Sequence, residues 1–235
     1  MSLHPVLEAL QAKANPDKAQ FVARYFKTGP GEYGENDVFL GLAVGEVRAI
    51  AKPFRQLSTD DVVTLLRSPF HEARAAALFI WVDQFKKAPF DKRLDIFEAY
   101  LANKEYVNNW DLVDVSARDI VGAFLYDQDR SLLYDYARSE HLWTVRIALI
   151  ATAYFIRKKE YTDTLALCEL VLTHKHDLIH KASGWMLREV GEQDKGVLLE
   201  FLNEHATVMP RTMLRYAIEK LPETERQYYL KLKTA

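Results

Sequence analysis

Cysteine is almost absent from this 235-residue chain: Cys168, in TLALCELVL, is the only one. No intrachain disulfide can form, which suits a reducing compartment, and no cysteine-based zinc site is possible. No apolar run reaches the ~20 residues a membrane span needs. The first stretch, MSLHPVLEALQAKANPDKAQ, lacks the apolar core of a signal peptide. The expectation is a cytoplasmic protein that does not engage a membrane. Excess charge is missing too. The net charge is −2, which by itself does not announce a nucleic-acid binder. Residues 141–235 carry 14 Lys/Arg against 12 Asp/Glu, and residues 1–140 carry 17 against 21, so the asymmetry is mild. Strand signals are lacking: there is no convincing alternation and no Asn-Gly or Asp-Gly hairpin dipeptide. Glycine and proline are few, at 9 and 8, and five of the glycines fall between 29 and 45. The stretch TGPGEYGENDVFLG, 28–41, therefore reads as a loop between the second and third helices. No Gly-Lys-Ser/Thr follows it, which excludes a P-loop.

What remains is helical. Hydrophobic residues make up 49% and charged residues 27%, as in a folded globular chain. FHEARAAALFIWVDQF, SLLYDYARSEHLWTVRIALIATAYFIRKK and MLRYAIEKLPETERQYYLKL repeat apolar residues at three and four. Helix starts are marked by Asn15 before Pro16 and Asp17, and by Ser58 ahead of Asp61. An all-α fold follows.

The helices also repeat. EARAAAL around Arg74, TVRIALI around Arg146, IHKASGW around Lys181 and MLRYAIE around Arg215 each put a basic residue before a small and apolar run. The separations are 72, 35 and 34, and position 74 plus 36 is Trp110, so NNWDLVD (108–114) fills the missing slot. That period belongs to helical hairpins of the HEAT type. The expectation is a right-handed, curved α-α solenoid over residues 1–235, a single domain of about six or seven pairs. Arg74, Arg146, Lys181 and Arg215 should occupy equivalent helices and point the same way. Trp110, Asp114, Arg146, Lys181 and Trp185 should gather along one ridge, the kind of concave surface on which such proteins bind extended partners.

Trp110 and Asp114 are four apart, which on a helix sets an aromatic face beside a carboxylate. Each alone has a plainer reading, a core tryptophan and a solvated aspartate. Trp81 and Trp143, in apolar runs, are read as core. His174, His176 and His180 in THKHDLIH invite a metal, but no recognised ligand spacing surrounds them, and a helix start explains them. Asp60 with Asp61, and Asp127 with Asp129, read as helix-start charges.

The combination YFK (25–27), NNWDLVD (108–114), LWTVRIAL (142–149), KASGWMLREVG (181–191) and MPRTMLRYAIEKL (209–221) resembles the DNA alkylation repair enzymes of the AlkD type, bacterial HEAT-like DNA glycosylases. The resemblance spans nearly the whole chain. It implies that Asp114 is the catalytic aspartate and that Trp110 and Trp185 line the lesion. It implies that Arg146 is a site arginine near the DNA backbone and Arg188 a basic residue of the concave surface; the repeat register adds Lys181 and Arg215 as expected DNA contacts. The implied activity is excision of N3- and N7-alkylated purines from double-stranded DNA by a monomer, with no cofactor and no metal, and without extruding the base into a pocket. The residue types suit that chemistry. An alkylated purine is cationic and leaves without protonation, so a carboxylate need only stabilise charge on the deoxyribose and position water. Two other functions stay open at this point: a non-catalytic binder of unusual DNA structures, and a protein-interaction scaffold.

Overall fold

A computed structural model describes residues 4–232. Among them the regular structure is helical, and the only β feature is an isolated bridge between Val38 and Phe70. The chain forms two compact units, the first running to Ile120 and the second starting at Val121.

In the first unit the helices are α1 (Pro5–Gln11), α2 (Pro16–Tyr25), α3 (Val44–Ala51), α4 (Thr59–Leu66), α5 (His71–Phe85), α6 (Phe90–Ala102) and α7 (Trp110–Ala117). The starts lie where side chains cap them. Asn15 Oδ1 accepts from the Lys18 amide at 3.0 Å ahead of Pro16, and Ser58 Oγ accepts from the Asp61 amide at 3.1 Å. Asp60 and Asp61 sit in the first turn of α4, as helix-start charges do. α5 is the centre of the unit and packs against α1, α3, α4, α6 and α7. Its residues from His71 to Val82 are all buried, as expected of a helix apolar on every side. Leu78, Ile80 and Trp81 have almost no exposed surface, each worth about 1.5–3 kcal/mol of burial.

In the second unit follow α8 (Ala123–Leu125), α9 (Ser131–Ala137), α10 (Leu142–Ala151), α11 (Ala153–Arg157), α12 (Thr162–Leu170), α13 (Asp177–Gln193), α14 (Lys195–His205), α15 (Arg211–Ala217) and α16 (Glu223–Lys231). A π-helical stretch, Arg118–Gly122, runs into α8. The packing is that of stacked helical repeats. α10 packs on α9, α13 on α12 and α14, and α10, α13 and α15 follow one another in a row. These three start at Leu142, Asp177 and Arg211, so Arg146, Lys181 and Arg215 each fall at the fifth helical position. The close approach of α13 and α15 depends on Gly184, where a Cβ would lie 2.5 Å from the Met213 carbonyl oxygen and 2.6 Å from the Tyr216 Cβ. Trp81 and Trp143 are core residues, 0% and 5% exposed.

The repeat register is real, but the surroundings of the basic positions are not uniform. Arg74 and Arg146 are buried, whereas Lys181 is half-buried and Arg215 exposed. The physical reason is local. The Arg74 guanidinium turns onto the Ser68 and Pro69 carbonyls and Asp37, and that of Arg146 donates to the Leu178 carbonyl at 2.7 Å. The Ser68 and Pro69 carbonyls lie in the connection before α5, where backbone acceptors need partners from outside a helix, and Leu178 lies in the first turn of α13.

Candidate functional site

α7 begins at NNWDLVD. Asn109, fully buried, is its N-cap in extended conformation, and its Oδ1 accepts from the Trp110 amide at 2.8 Å. Leu112, Val113, Ser116 and Ala117 face the core. Trp110, Asp111, Asp114 and Val115 stay half-buried, and of these Trp110 and Asp114 stand one turn apart. Phe26 lies parallel to the Trp110 indole at 5.2 Å, and Tyr25 meets it edge-on at 6.1 Å. One indole face is thus already covered, leaving at most one for a ligand. Tyr25 itself is 63% exposed.

Behind the aromatic group lies a polar network that fastens the 28–41 loop. α2 ends at Phe26, and Lys27 takes a left-handed φ of 55° that turns the chain away. The loop then returns to the start of α5. The His71 amide donates to the Val38 carbonyl at 2.8 Å. The Glu72 carboxylate accepts the amides of Leu40, Gly41 and Leu42 at 2.8, 2.8 and 3.2 Å. Gly41, at φ 82°, passes within 2.2 Å of the Asn15 carbonyl oxygen when a Cβ is added, so only glycine fits there.

Asp37 is the centre of this network. Its carboxylate accepts from His71 Nδ1 at 3.1 Å, from Asn109 Nδ2 at 3.0 Å and from the Arg74 guanidinium. The other ring nitrogen, His71 Nε2, donates to Asp111 Oδ2 at 2.8 Å. Two carboxylates facing both ring nitrogens require both to carry protons. Burial opposes that charge, but hydrogen bonds to Asp111 and Asp37 outweigh it and push His71 up to about 9. For Asp37, burial likewise opposes ionisation. His71, Arg74 and Asn109 overcome it and hold the carboxyl below its ordinary value. The imidazolium is stacked by Phe39 at 4.6 Å and flanked by Phe26 at 5.0 Å. A cavity of about 220 Å³ opens here, lined by Phe26, Phe39, Val44, His71 and Asp111 among others. Motif reading held Tyr25 and Phe26 only within YFK, Asn109 and Asp111 only within NNWDLVD, and Arg74 only as a repeat position; it did not single out Asp37, Phe39, His71 or Glu72.

In the second unit, α13 carries three of the expected residues. Trp185 is half-buried, and its Nε1–H donates to Glu189 Oε1 at 2.8 Å. Lys181 pairs with Asp177 at 2.8 Å, and Arg188 pairs with Glu219. Arg215, on α15, is exposed and forms no ion pair among the described residues. The histidines work as helix-start groups. His176 Nδ1 accepts from the Leu178 amide, His174 Nδ1 from the His176 amide, and His180 Nε2 meets the His174 carbonyl. No group of three or more metal-ligating side chains occurs among the described residues. Cys168 is buried, and burial pushes its thiol up, away from thiolate chemistry.

These features describe an all-helical repeat protein with an aromatic and acidic face at one helix start. The DNA alkylation repair enzyme family model matches residues 6–221, and the chain belongs to that family. Its role therefore lies in repair of alkylated DNA, with DNA as the partner that implies. Among solved structures, one described as a predicted DNA alkylation repair enzyme from Enterococcus faecalis is similar at a TM-score of 0.68 and 17% identity. The match covers 89% of this chain and 97% of that one, and at this identity it speaks for the fold. No curated protein matches the sequence. No described helix is long and apolar enough to cross a membrane.

Proposed function

We propose that the protein is a DNA glycosylase that hydrolyses the N-glycosidic bond of N3- and N7-alkylated purines in duplex DNA. The observation that carries this reading is the α7 face: Trp110 and Asp114 stand one turn apart, half-buried, on a helix whose Leu112, Val113, Ser116 and Ala117 are buried and whose Asp111 is held by His71. A tryptophan serving only as core would be sealed like Trp81, and an aspartate serving only solubility has no need of a held indole beside it.

In this reading the alkylated base is already cationic. The C1′–N9 bond (C1′–N of the base) breaks with its electron pair passing to the purine, which leaves neutral. Positive charge gathers on the deoxyribose. The Asp114 carboxylate stabilises that charge and orients the water whose oxygen joins C1′, the water proton passing to the carboxylate or to solvent. The open face of Trp110 attracts the cationic base at about 0.5–2 kcal/mol, and Trp185, in the second unit, offers the same kind of aromatic surface. In the second unit Lys181, Arg188, Arg215 and the buried Arg146 serve the DNA backbone; such contacts set register without reading sequence. The base is not drawn into a pocket, and no cofactor takes part.

Release of free 7-methylguanine from methylated duplex by purified protein tests the reading. Arg146→Ala is expected to weaken base release and DNA binding together. A folded protein that retains branched or damaged DNA but releases no base, with binding unchanged by Asp114→Asn, supports the non-catalytic alternative instead.

A further inference from the structure

Arg48, Lys52 and Arg55 recur at i, i+4 and i+7, through the end of α3 and the 3₁₀ turn Lys52–Phe54 that continues it. Residues 47–59 contain no acid. On a helix this spacing aligns three cations on one face, and like charges four apart repel rather than stabilise. The three line a cavity of about 370 Å³ whose far wall is Phe79, Asp83 and Lys87. A second cavity, of about 400 Å³, continues from it; Arg55, Asp83 and Lys87 line both, and Lys92 lies in the second. Together they make a groove with five cations and one acid, Asp83.

The cations of the groove are not neutralised. Arg48, Lys52, Arg55, Lys87 and Lys92 form no ion pair among the described residues, whereas Lys86, Arg118, Arg130, Lys181 and Arg188 all sit on carboxylates. Several are nonetheless held in place. The Arg48 guanidinium lies 4.1 Å over the Phe79 ring, Arg55 Nε donates to the Lys52 carbonyl at 3.0 Å, and Lys92 Nζ donates to Thr59 Oγ1 at 2.6 Å. Fixed cations with unrelieved mutual repulsion are what an anionic partner would relieve.

We propose that this groove is a second nucleic-acid contact that takes a stretch of phosphate backbone apart from the Trp110 and Asp114 face. This rests on the DNA-repair reading and adds to it a surface that the motif residues do not include. No residue of the Trp110 cluster lines either cavity. Along α5, Asp83 is nine residues from Arg74, about 14 Å at 1.5 Å per residue. Phosphate fits better than a lipid surface, because membrane-docking faces pair cations with exposed apolar residues. The groove's own apolar wall, Phe79 and Ile80, is 3% and 1% exposed, although Phe90, between Lys87 and Lys92, is 56% exposed. A row of single negative charges matches separated cations in a channel, and each neutralised phosphate releases counterions.

The test is binding of a fluorescein-labelled undamaged duplex as salt is raised, for wild type and for the triple variant Lys52→Ala, Arg55→Ala, Lys87→Ala. A second triple, Lys13→Ala, Lys18→Ala and Lys231→Ala, removes the same charge elsewhere. A milder Lys52→Gln, Arg55→Gln pair guards against misfolding, and thermal melting checks all of them. The groove variant is expected to bind at least about tenfold more weakly at low salt, with its log–log salt slope shallower by about 2–3, near 0.9 per lost phosphate contact. The distal triple is expected to keep most of the wild-type slope. If wild type binds duplex and the groove variants match it in affinity and slope, the groove proposal is overturned and the glycosylase reading is untouched. If wild type binds duplex with the predicted slope change yet releases no alkylated base, the glycosylase reading falls and the groove stands. Stronger binding to phosphatidylserine vesicles or polyglutamate than to duplex overturns the choice of partner.

Discussion

Phe26 lies flat against Trp110, ring centroids 5.2 Å apart and planes 9° from parallel. The pair joins the end of α2 to the start of α7 across 84 residues of sequence. The indole is thus held by an aromatic wall from another helix, and its orientation depends on the path of the loop that begins at Lys27. Phe26→Ala removes that wall. The stack is worth about 0.5–1.5 kcal/mol beyond the area it buries. The expected result is a red-shifted Trp110 emission, isolated by difference against Trp110→Phe, and single-turnover base release slowed roughly tenfold, the kinetic equivalent of about 1.4 kcal/mol. Unchanged emission and rate would show that Trp110 needs no such support.

The His71 network sets a pH window. His71 is raised from 6.5 to about 9, so its contribution is complete below pH 6.5 and is lost as pH rises through 9. Asp37 is lowered from 3.8, so its contribution is present above that value and is lost as pH falls. The loop is therefore held firmly from weakly acid to weakly alkaline pH, and the His71 shift corresponds to roughly 3 kcal/mol. The groups facing the imidazolium are Asp37, Asp111 and Arg74, with Phe26 and Phe39 against its ring. Hydrogen exchange of the Val38 to Leu42 amides is expected to accelerate above pH 9, and His71→Gln to abolish that alkaline transition. An imidazole NMR titration midpoint near 6.5 would contradict the arrangement.

Glu72 holds three buried loop amides with one carboxylate. Glu72→Ala leaves them unsatisfied, and each orphan costs about 1–3 kcal/mol. The expected loss is at least about 3 kcal/mol in urea unfolding, with protease cleavage appearing within 28–41. Glu72→Gln keeps an acceptor oxygen and is expected to lose less.

Gly184 tests the helix stack of the second unit. A Cβ there would collide with the Met213 carbonyl and the Tyr216 Cβ, so Gly184→Val must force α13 from α15. Destabilisation of about 2 kcal/mol or more is expected in thermal unfolding. A neutral outcome would mean that the two helices do not meet as closely as described.

Much of this was legible in the sequence because it follows from local pattern. The caps at Asn15 and Ser58 are written within three residues of the amides they serve. The repeat of Arg146, Lys181 and Arg215 is a period of the chain, and it recovers the fifth position of three helices. Trp81 and Trp143 lie in runs apolar on every side, which can only be buried. The Asp37, His71 and Asp111 network was not legible, because its members are 34 and 40 residues apart and meet only when the loop returns to α5. One signal did exist. His71, Glu72 and Arg74 are polar residues at the head of an otherwise apolar run, and polar groups buried there must find partners. The inward turn of Arg74 and Arg146 was hidden for a related reason: a register fixes which helix a side chain leaves from, not which carbonyl it finds.

The central claim is that the α7 carboxylate performs glycosidic hydrolysis, and single-turnover base release from methylated duplex, with enzyme in excess, tests it most directly. Wild type is expected to free 7-methylguanine and 3-methyladenine. Asp114→Asn, with duplex binding and melting temperature retained, is expected to be slower by ~10²–10³-fold, the scale at which removing one group that stabilises transition-state charge acts. Folded wild-type protein that frees no alkylated base, or an Asp114→Asn variant as fast as wild type, would contradict the account.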